Sequence, residues 1–339
     1  MHRPLRLRLD NAALAANWRW LQATAGTATG AAVKADGYGI GAGTAVATLA
    51  EVGCRDFFVA TWDEARRLGP LPSSARLSVL HGVGPDDLGA ALASTARPVL
   101  NSIEQVARWK AAAGTRPCDV MVDTGMNRLG LRPEELDAFD GLEVDTLMSH
   151  LACADEDHAS NGAQLAAFRA VKDRVSAKRY SLANSAGICL GRDYAFDLVR
   201  PGLALYGGIP RREAVGKIAQ VAFPEAQVLQ RRMARAGESV GYGATFTTPR
   251  DTELAILNIG YADGYFRGFG GHGAGVVDGV RLPLAGRVSM DLVALDCSAV
   301  PGLREGDWVE LEFELAAASA ATGMSQYELL TSLGDRFER

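Results

Sequence analysis

Eight short apolar runs, each leading into a helical pattern, and a change of texture near residue 215 together predict an α/β fold. That fold is a (β/α)8 TIM-type barrel over residues 9–214 followed by a mainly β domain over 215–339. The length of 339 residues is enough for both. A doubly wound open sheet is the alternative, but no G-x-G-x-x-G marks its first turn.

Taken in order, residues 1–8 open with Leu5-Arg-Leu-Arg8, which alternates like a strand and fits either domain. The barrel runs fall at 30–34, 56–61, 76–80, 97–101, 118–123, 142–149, 179–183 and 196–199. Between them, Thr61 followed by Glu64 reads as a capping box, and Ser102 precedes apolar residues at 103, 106 and 109. Residues 161–175 continue the helical pattern. Beyond 215 the segments 217–233, 252–260, 274–285, 291–296 and 307–313 are strand-like. Asp278-Gly279 signals a type I′ hairpin turn. The run 316–321 reads as a loop or weak helix, and 325–333 as a helical tail.

Hydrophobic residues make up 48% and charged residues 22%, the balance of a soluble globular protein. A net charge of −5 gives no reason to expect nucleic acid or an anionic membrane as partner. No apolar stretch is long enough for a transmembrane helix, and the N-terminus lacks the core of a secretory signal. Five scattered cysteines suit reduced thiols in the cytoplasm. Metal-ligand spacing is absent, so no metal is expected.

Catalytic groups of such barrels gather at the C-terminal ends of the strands. Lys34, the segment 123–128, His150, Asn184-Ser185 and Arg200-Pro-Gly-Leu203 stand there. Taken alone, Lys34 is an ordinary strand-end lysine leaning into solvent, and Arg128, His150 or Arg200 is a structural partner. Together they describe a site for an anionic cofactor with a carbonyl carbon. Partial desolvation favours a nucleophilic lysine amine, which can form an imine. Ser185 and the backbone N–H groups of Gly202 and Leu203 can cradle a phosphate. Asp36 reads as a turn residue.

These residues lie in motifs that resemble alanine racemase. The motifs are Val33-Lys-Ala-Asp-Gly-Tyr-Gly39, Val122-Asp-Thr-Gly-Met-Asn-Arg-Leu-Gly130, Ser149-His-Leu-Ala, Ala183-Asn-Ser-Ala and Val199-Arg-Pro-Gly-Leu-Ala-Leu-Tyr-Gly207. Val240-Gly-Tyr-Gly-Ala-Thr-Phe, Gly260-Tyr-Ala-Asp-Gly264 and Gly286-Arg-Val-Ser-Met-Asp291 continue the set in order. The resemblance implies a pyridoxal 5′-phosphate enzyme that interconverts L- and D-alanine with two bases. It supplies D-alanine for peptidoglycan or serves alanine catabolism, and works as a cytoplasmic homodimer on a small amino-acid substrate. By this likeness Lys34 carries the cofactor and is one base, and Tyr242, from the other subunit, is the second. Arg200 meets the pyridine nitrogen with His150 behind it. Arg128 and the Met290 backbone N–H meet the substrate carboxylate. Tyr38, Ser185, Gly202 and Leu203 hold the phosphate. Tyr261, Asp155, Arg267 and Arg287 line the substrate corridor, and Asp291 lies near the lysine.

The chain departs from the family pattern at Met121, where many relatives have a lysine that orients the substrate-binding arginine. Asn127 replaces a common glycine, Gly334 and Asp335 stand about where some relatives present a tyrosine, and Cys153 falls in the inner corridor. These departures bear on affinity and selectivity more than on reaction type. Three other readings stand beside the first. A racemase of broader specificity or for serine differs only by contacts worth ~1–3 kcal/mol. A basic amino-acid decarboxylase-like enzyme ordinarily pairs the pyridine nitrogen with an acid, which Arg200 opposes. A cofactor carrier built on a lone barrel leaves the β domain and Tyr242 without a use.

Overall fold

The computed structural model describes residues 3–338. It contains two compact units: Asn11–Ala219, and the N-terminal segment through Asp10 together with the chain from Gln220 onward.

In the first unit, parallel strands follow one another in chain order: Ala31–Ala32, Asp56–Val59, Arg76–Val79, Arg97–Leu100, Cys118–Met121, Val144–Met148 and Arg179–Ser181. The eighth, Leu198–Val199, pairs in parallel with Ala28–Thr29, the first half of the opening strand. Asp197 N donates to Tyr180 O (3.0 Å) and Arg200 N to Ala183 O (2.9 Å), which joins the eighth strand to the seventh and closes the barrel. Gly30 divides the opening strand. A Cβ there would lie 2.7 Å from Asp56 O, so only glycine lets this strand sit between both neighbours.

The barrel core holds Phe58, Val99, Met121, Met148 and Leu198. Below it, at the strands' N-terminal ends, three arginines and three aspartates alternate. Arg76 and Arg179 each reach Asp56 (2.9 Å), Arg179 reaches Asp145 (2.9 Å), and Arg97 joins Asp145 (3.1 Å) to Asp119 (3.5 Å). Each buried carboxylate thus faces a guanidinium, which offsets the cost of removing both from water. The helical layer is less regular than the sequence rhythm. Only the 3₁₀ segment Pro133–Phe139 follows the fifth strand, and the five-residue helix Ser185–Cys189 follows the seventh.

The second unit is built on the long strand Ala222–Ala234. Sheet order is Val280–Pro283, Ala274–Val277, Trp308–Leu311, Ala222–Ala234, Thr252–Leu257 and Val293–Asp296. Leu5–Leu9 adds antiparallel to Ala222–Ala226, so the N-terminal strand belongs to the β unit. Its alternation has a cause: Leu5 and Leu7 are buried, while Arg6 and Arg8 pair with Glu225 on the other face. Asp278 (φ 50°) and Gly279 (φ 79°) form the expected type I′ turn. The run read as a loop or weak helix is the helix Leu315–Thr322. Glu314 accepts from Ala316 N and Ala317 N at its start, and Gly323 (φ 72°) ends it.

Candidate active site

Lys34 leaves the end of the opening barrel strand and enters an unusual turn. Ala35, Asp36, Gly37 and Tyr38 all have positive φ (52°, 50°, 64° and 56°), so the chain winds left-handed. That hand costs roughly 1–2 kcal/mol per residue bearing a Cβ. The turn is held by Gly37 N donating to Val33 O (2.9 Å), Gly41 N to Asp36 O (2.8 Å) and Ala42 N to Asp36 Oδ1 (2.8 Å). Glu64 adds a further hold, accepting from Ala35 N at 2.7 Å. Burial pushes the Lys34 amine below its ordinary pKa, the Arg128 charge pushes the same way, and Glu64 opposes both.

The left-handed turn delivers Tyr38 onto Tyr206, with ring centroids 4.8 Å apart. A Cβ on Gly202 would lie 2.1 Å from the Tyr38 phenol oxygen, so this approach requires glycine. Asn184 caps the helix Ser185–Cys189 by accepting from Gly187 N (2.8 Å). The Ser185 hydroxyl accepts from Gly202 N (3.0 Å) and Ala204 N (3.2 Å), and Leu203 opens the 3₁₀ turn Leu203–Tyr206. A hydroxyl, a phenol and the N-terminal end of a turn thus gather where no Cβ intrudes, a donor set that suits a phosphate.

Arg200 is buried at the end of the eighth strand. It donates to Ser149 O (2.5 Å) and to Ser181 Oγ, which passes a bond to Leu198 O (2.5 Å). Burial pulls its guanidinium down to about 10, with Asp119 opposing, so it stays charged at neutral pH. His150 is pushed down to about 3 by burial and by the charges of Arg200, Arg128 and Lys34, and is therefore a neutral imidazole.

Arg128 is exposed on a loop organised by one carboxylate. Asp123 accepts from Gly125 N and Met126 N (2.8 Å each) and from Arg128 N (3.2 Å). Asn127 has φ 55°, which explains why asparagine can stand where glycine is common. Met121 packs in the barrel core and offers Arg128 no hydrogen bond. Among the described residues the Arg128 guanidinium has no carboxylate partner.

The sequence reading gives no positioning role to three residues, of which Asp123 lies in the singled-out segment 123–128. Asp123 had a signal, since Asp-Thr-Gly is an Asx-turn pattern. Gln164, buried on the helix Ser160–Lys172, had none. It donates to His150 O (2.9 Å) and Thr124 Oγ1 (3.3 Å), and accepts from Ala152 N (2.9 Å). Arg211 likewise grips the loop bearing Cys153 and the exposed Asp155, through Ala154 O (3.0 Å), Glu156 O (2.9 Å) and Asp157 (2.5 Å).

The remaining residues lie in the β unit. Tyr242 tops the hairpin of Ser239–Val240 and Phe246–Thr247, between Gly241 (φ 79°) and Gly243 (φ 74°). It is 71% exposed, and among the described residues nothing hydrogen-bonds its hydroxyl. Arg287 lies beside this hairpin, its Nη1 3.2 Å from where a Gly243 Cβ would be. Arg267 stacks over Tyr261 at 5.2 Å. Tyr261 N donates to Ser289 O and Ala262 N to Met290 O (3.0 Å each), which ties this turn to the Met290 loop. Asp291 pairs with Arg336 (2.7 Å), which also reaches the buried Asp263 (2.6 Å), while Gly334 N donates to Asp263 O (3.4 Å). The first unit therefore carries Lys34, Tyr38, Arg128, His150, Ser185, Arg200, Gly202 and Leu203, with Asp155 on the loop that Arg211 grips. The second gathers Tyr242, Tyr261, Arg267, Arg287, Met290 and Asp291.

Comparison with known proteins matches both parts of the chain. Residues 9–210 fit the family model for the alanine racemase N-terminal domain, and residues 221–339 that for the C-terminal domain. The chain is 44% identical to a catabolic alanine racemase of Agrobacterium fabrum, covering 98% of this chain and 91% of that protein. It is 42% identical to a biosynthetic alanine racemase of the same organism, covering 99% and 93%. The crystal structure of alanine racemase from Bartonella henselae with covalently bound pyridoxal phosphate superposes with a TM-score of 0.90 at 38% identity, covering 100% of this chain and 99% of that one.

Proposed function

The chain belongs to the alanine racemase family, and from that premise we propose that Lys34 and Tyr242 exchange protons with opposite faces of the substrate Cα. As a member it is an isomerase acting on amino acids, and its relatives include both biosynthetic and catabolic racemases. The observation that carries the assignment is the desolvated Lys34 amine at a barrel strand end, beside the phosphate-suited donors at Tyr38, Ser185 and Leu203.

Pyridoxal phosphate is the cofactor of this family, and when bound it withdraws electrons from the substrate Cα and makes the hydrogen there acidic. Lys34 is its point of attachment. Tyr38, Ser185 and the Leu203 backbone would hold its phosphate, with Gly202 bringing its N–H onto the Ser185 hydroxyl and leaving room for the Tyr38 phenol. Arg200 would meet its ring nitrogen with a guanidinium that does not surrender its proton at neutral pH. Neutral His150 sits behind Arg200 without adding a second charge. Arg128 and the Met290 N–H orient the substrate carboxylate, while Tyr261, Asp155, Arg267 and Arg287 line its path. Lys34 takes or returns the Cα proton on one face, and Tyr242 does so on the other.

Tyr242 is contributed by a second copy of the chain, so the working unit is a homodimer. Its exposure, and its having no hydrogen-bond partner for the hydroxyl among the described residues, support this reading. A cytoplasmic setting is supported by five cysteines that are all free. The test is D-alanine formation from L-alanine with added pyridoxal phosphate, run beside L-serine and other amino acids. We expect alanine to racemise fastest and Lys34→Ala to lose both racemisation and covalent cofactor. Racemisation of no amino acid by cofactor-loaded protein contradicts the proposal.

A further inference from the structure

We propose that Glu64 is a positioning residue for Lys34: its carboxylate pins the left-handed turn that starts at Ala35 and supplies the anionic charge facing the lysine. The inference rests on the reading of Lys34 as the cofactor-bearing amine.

Glu64 is the third residue of the helix Trp62–Leu68, whose cap is Thr61. A capping box needs Glu64 only to accept from the cap's own N–H, which it does weakly (Thr61 N, 3.3 Å). Its shorter bonds go elsewhere. Oε2 accepts from Ala60 N at 2.6 Å, and Oε1 crosses to the neighbouring barrel loop to accept from Ala35 N at 2.7 Å. One carboxylate therefore fastens the loop after the second strand to the residue that follows Lys34. Charge-assisted bonds of this length are among the stronger ones available to a backbone N–H. They sit where the chain enters a strained hand, and four consecutive positive φ values leave Lys34 at the seam between strand and turn.

The charge has a second consequence. The bond to Ala35 N holds the Glu64 carboxylate one residue from Lys34. The other charged or titratable groups acting on Lys34 are Arg128, from the loop after Cys118–Met121, and His150, from the end of Val144–Met148. Asp36 and Tyr38 lie on its own turn, with Asp36 engaged by Ala42 N. The helix Ala42–Glu51 offers only Glu51 at its far end. Asp56 at the start of the second strand is paired with Arg76 and Arg179. Within the barrel unit Arg128 and a neutral His150 give no support to a protonated lysine, so Glu64 is the carboxylate there that does, beside the Asp291 that the resemblance brings near the lysine. A base that must hold the proton it removes needs that support, since burial and Arg128 both favour the neutral amine.

The test uses the full-length chain with pyridoxal phosphate added over a pH series and trapped by borohydride, alongside hydrogen exchange at the Ala35 amide. In Glu64→Gln the trapping profile shifts to lower pH, because loss of the anion favours the neutral amine at lower pH, and Glu64→Asp restores the original profile at least in part. In Glu64→Ala, exchange at Ala35 is faster by roughly tenfold or more. An unmoved profile in Glu64→Gln overturns the charge role, and unchanged Ala35 exchange in Glu64→Ala overturns the pin. If the wild-type chain traps cofactor at a lysine other than Lys34, the reading beneath fails, while Ala35 exchange still reports on the pin.

Discussion

Gly202 shows how much a single missing atom contributes. Its Cβ would stand 2.1 Å from the Tyr38 phenol oxygen, against backbone that Ser185 already fixes. In Gly202→Ala the phenol must withdraw, and we expect pyridoxal phosphate to bind roughly ten- to a hundredfold more weakly by absorbance titration, the loss of one bond to a charged group. An unchanged affinity would remove Tyr38 from the phosphate site. At this scale the sequence points to candidate residues but says little about how they are held. Lys34 was legible as a strand-end lysine and Asp36 as a turn residue, but the left-handed sense of the turn was not, because Ala35 and Tyr38 carry no signal for positive φ. Glu64 was legible as a cap but not as the partner of Ala35, a contact 29 residues away in the chain. Gln164 was invisible for the same reason, since its three bonds all reach across to other loops.

Elements were easier to read where the signal is local. The type I′ hairpin at Asp278-Gly279 follows from two residues, and the eight barrel strands follow from repeated apolar runs. The N-terminal strand was different. Alternation says that one face is buried but not against what, and the partner lies more than 200 residues further on, with Leu5 opposite Ala226. Leu7 is 3% exposed there, whereas Leu229 is 40% exposed near a bulge in the long strand. Leu7→Ala should therefore destabilise the β unit by about 2–5 kcal/mol in denaturant unfolding, and Leu229→Ala by under about 0.5 kcal/mol. Equal losses would mean that the N-terminal strand does not hold the sheet.

For the whole molecule, chain order divides the chemistry. The barrel carries Lys34, Arg128, Arg200 and the phosphate-suited donors, and at its lower end an alternating chain of Arg76, Asp56, Arg179, Asp145, Arg97 and Asp119. The β unit supplies Tyr242, Tyr261, Arg287 and Met290. No local pattern in the sequence speaks to whether residues of the two units meet in one site, because association between copies would leave no periodicity in one sequence. The central claim is that Lys34 of one copy and Tyr242 of another act on the same substrate carbon. Mixing separately inactive Lys34→Ala and Tyr242→Phe chains, after dissociation and reassociation in equal amounts, tests it directly. Half the dimers formed at random are mixed, and each mixed dimer carries one intact site of two. Racemisation should therefore return to roughly a quarter of the wild-type rate. Mixed dimers that form and stay inactive would contradict the account.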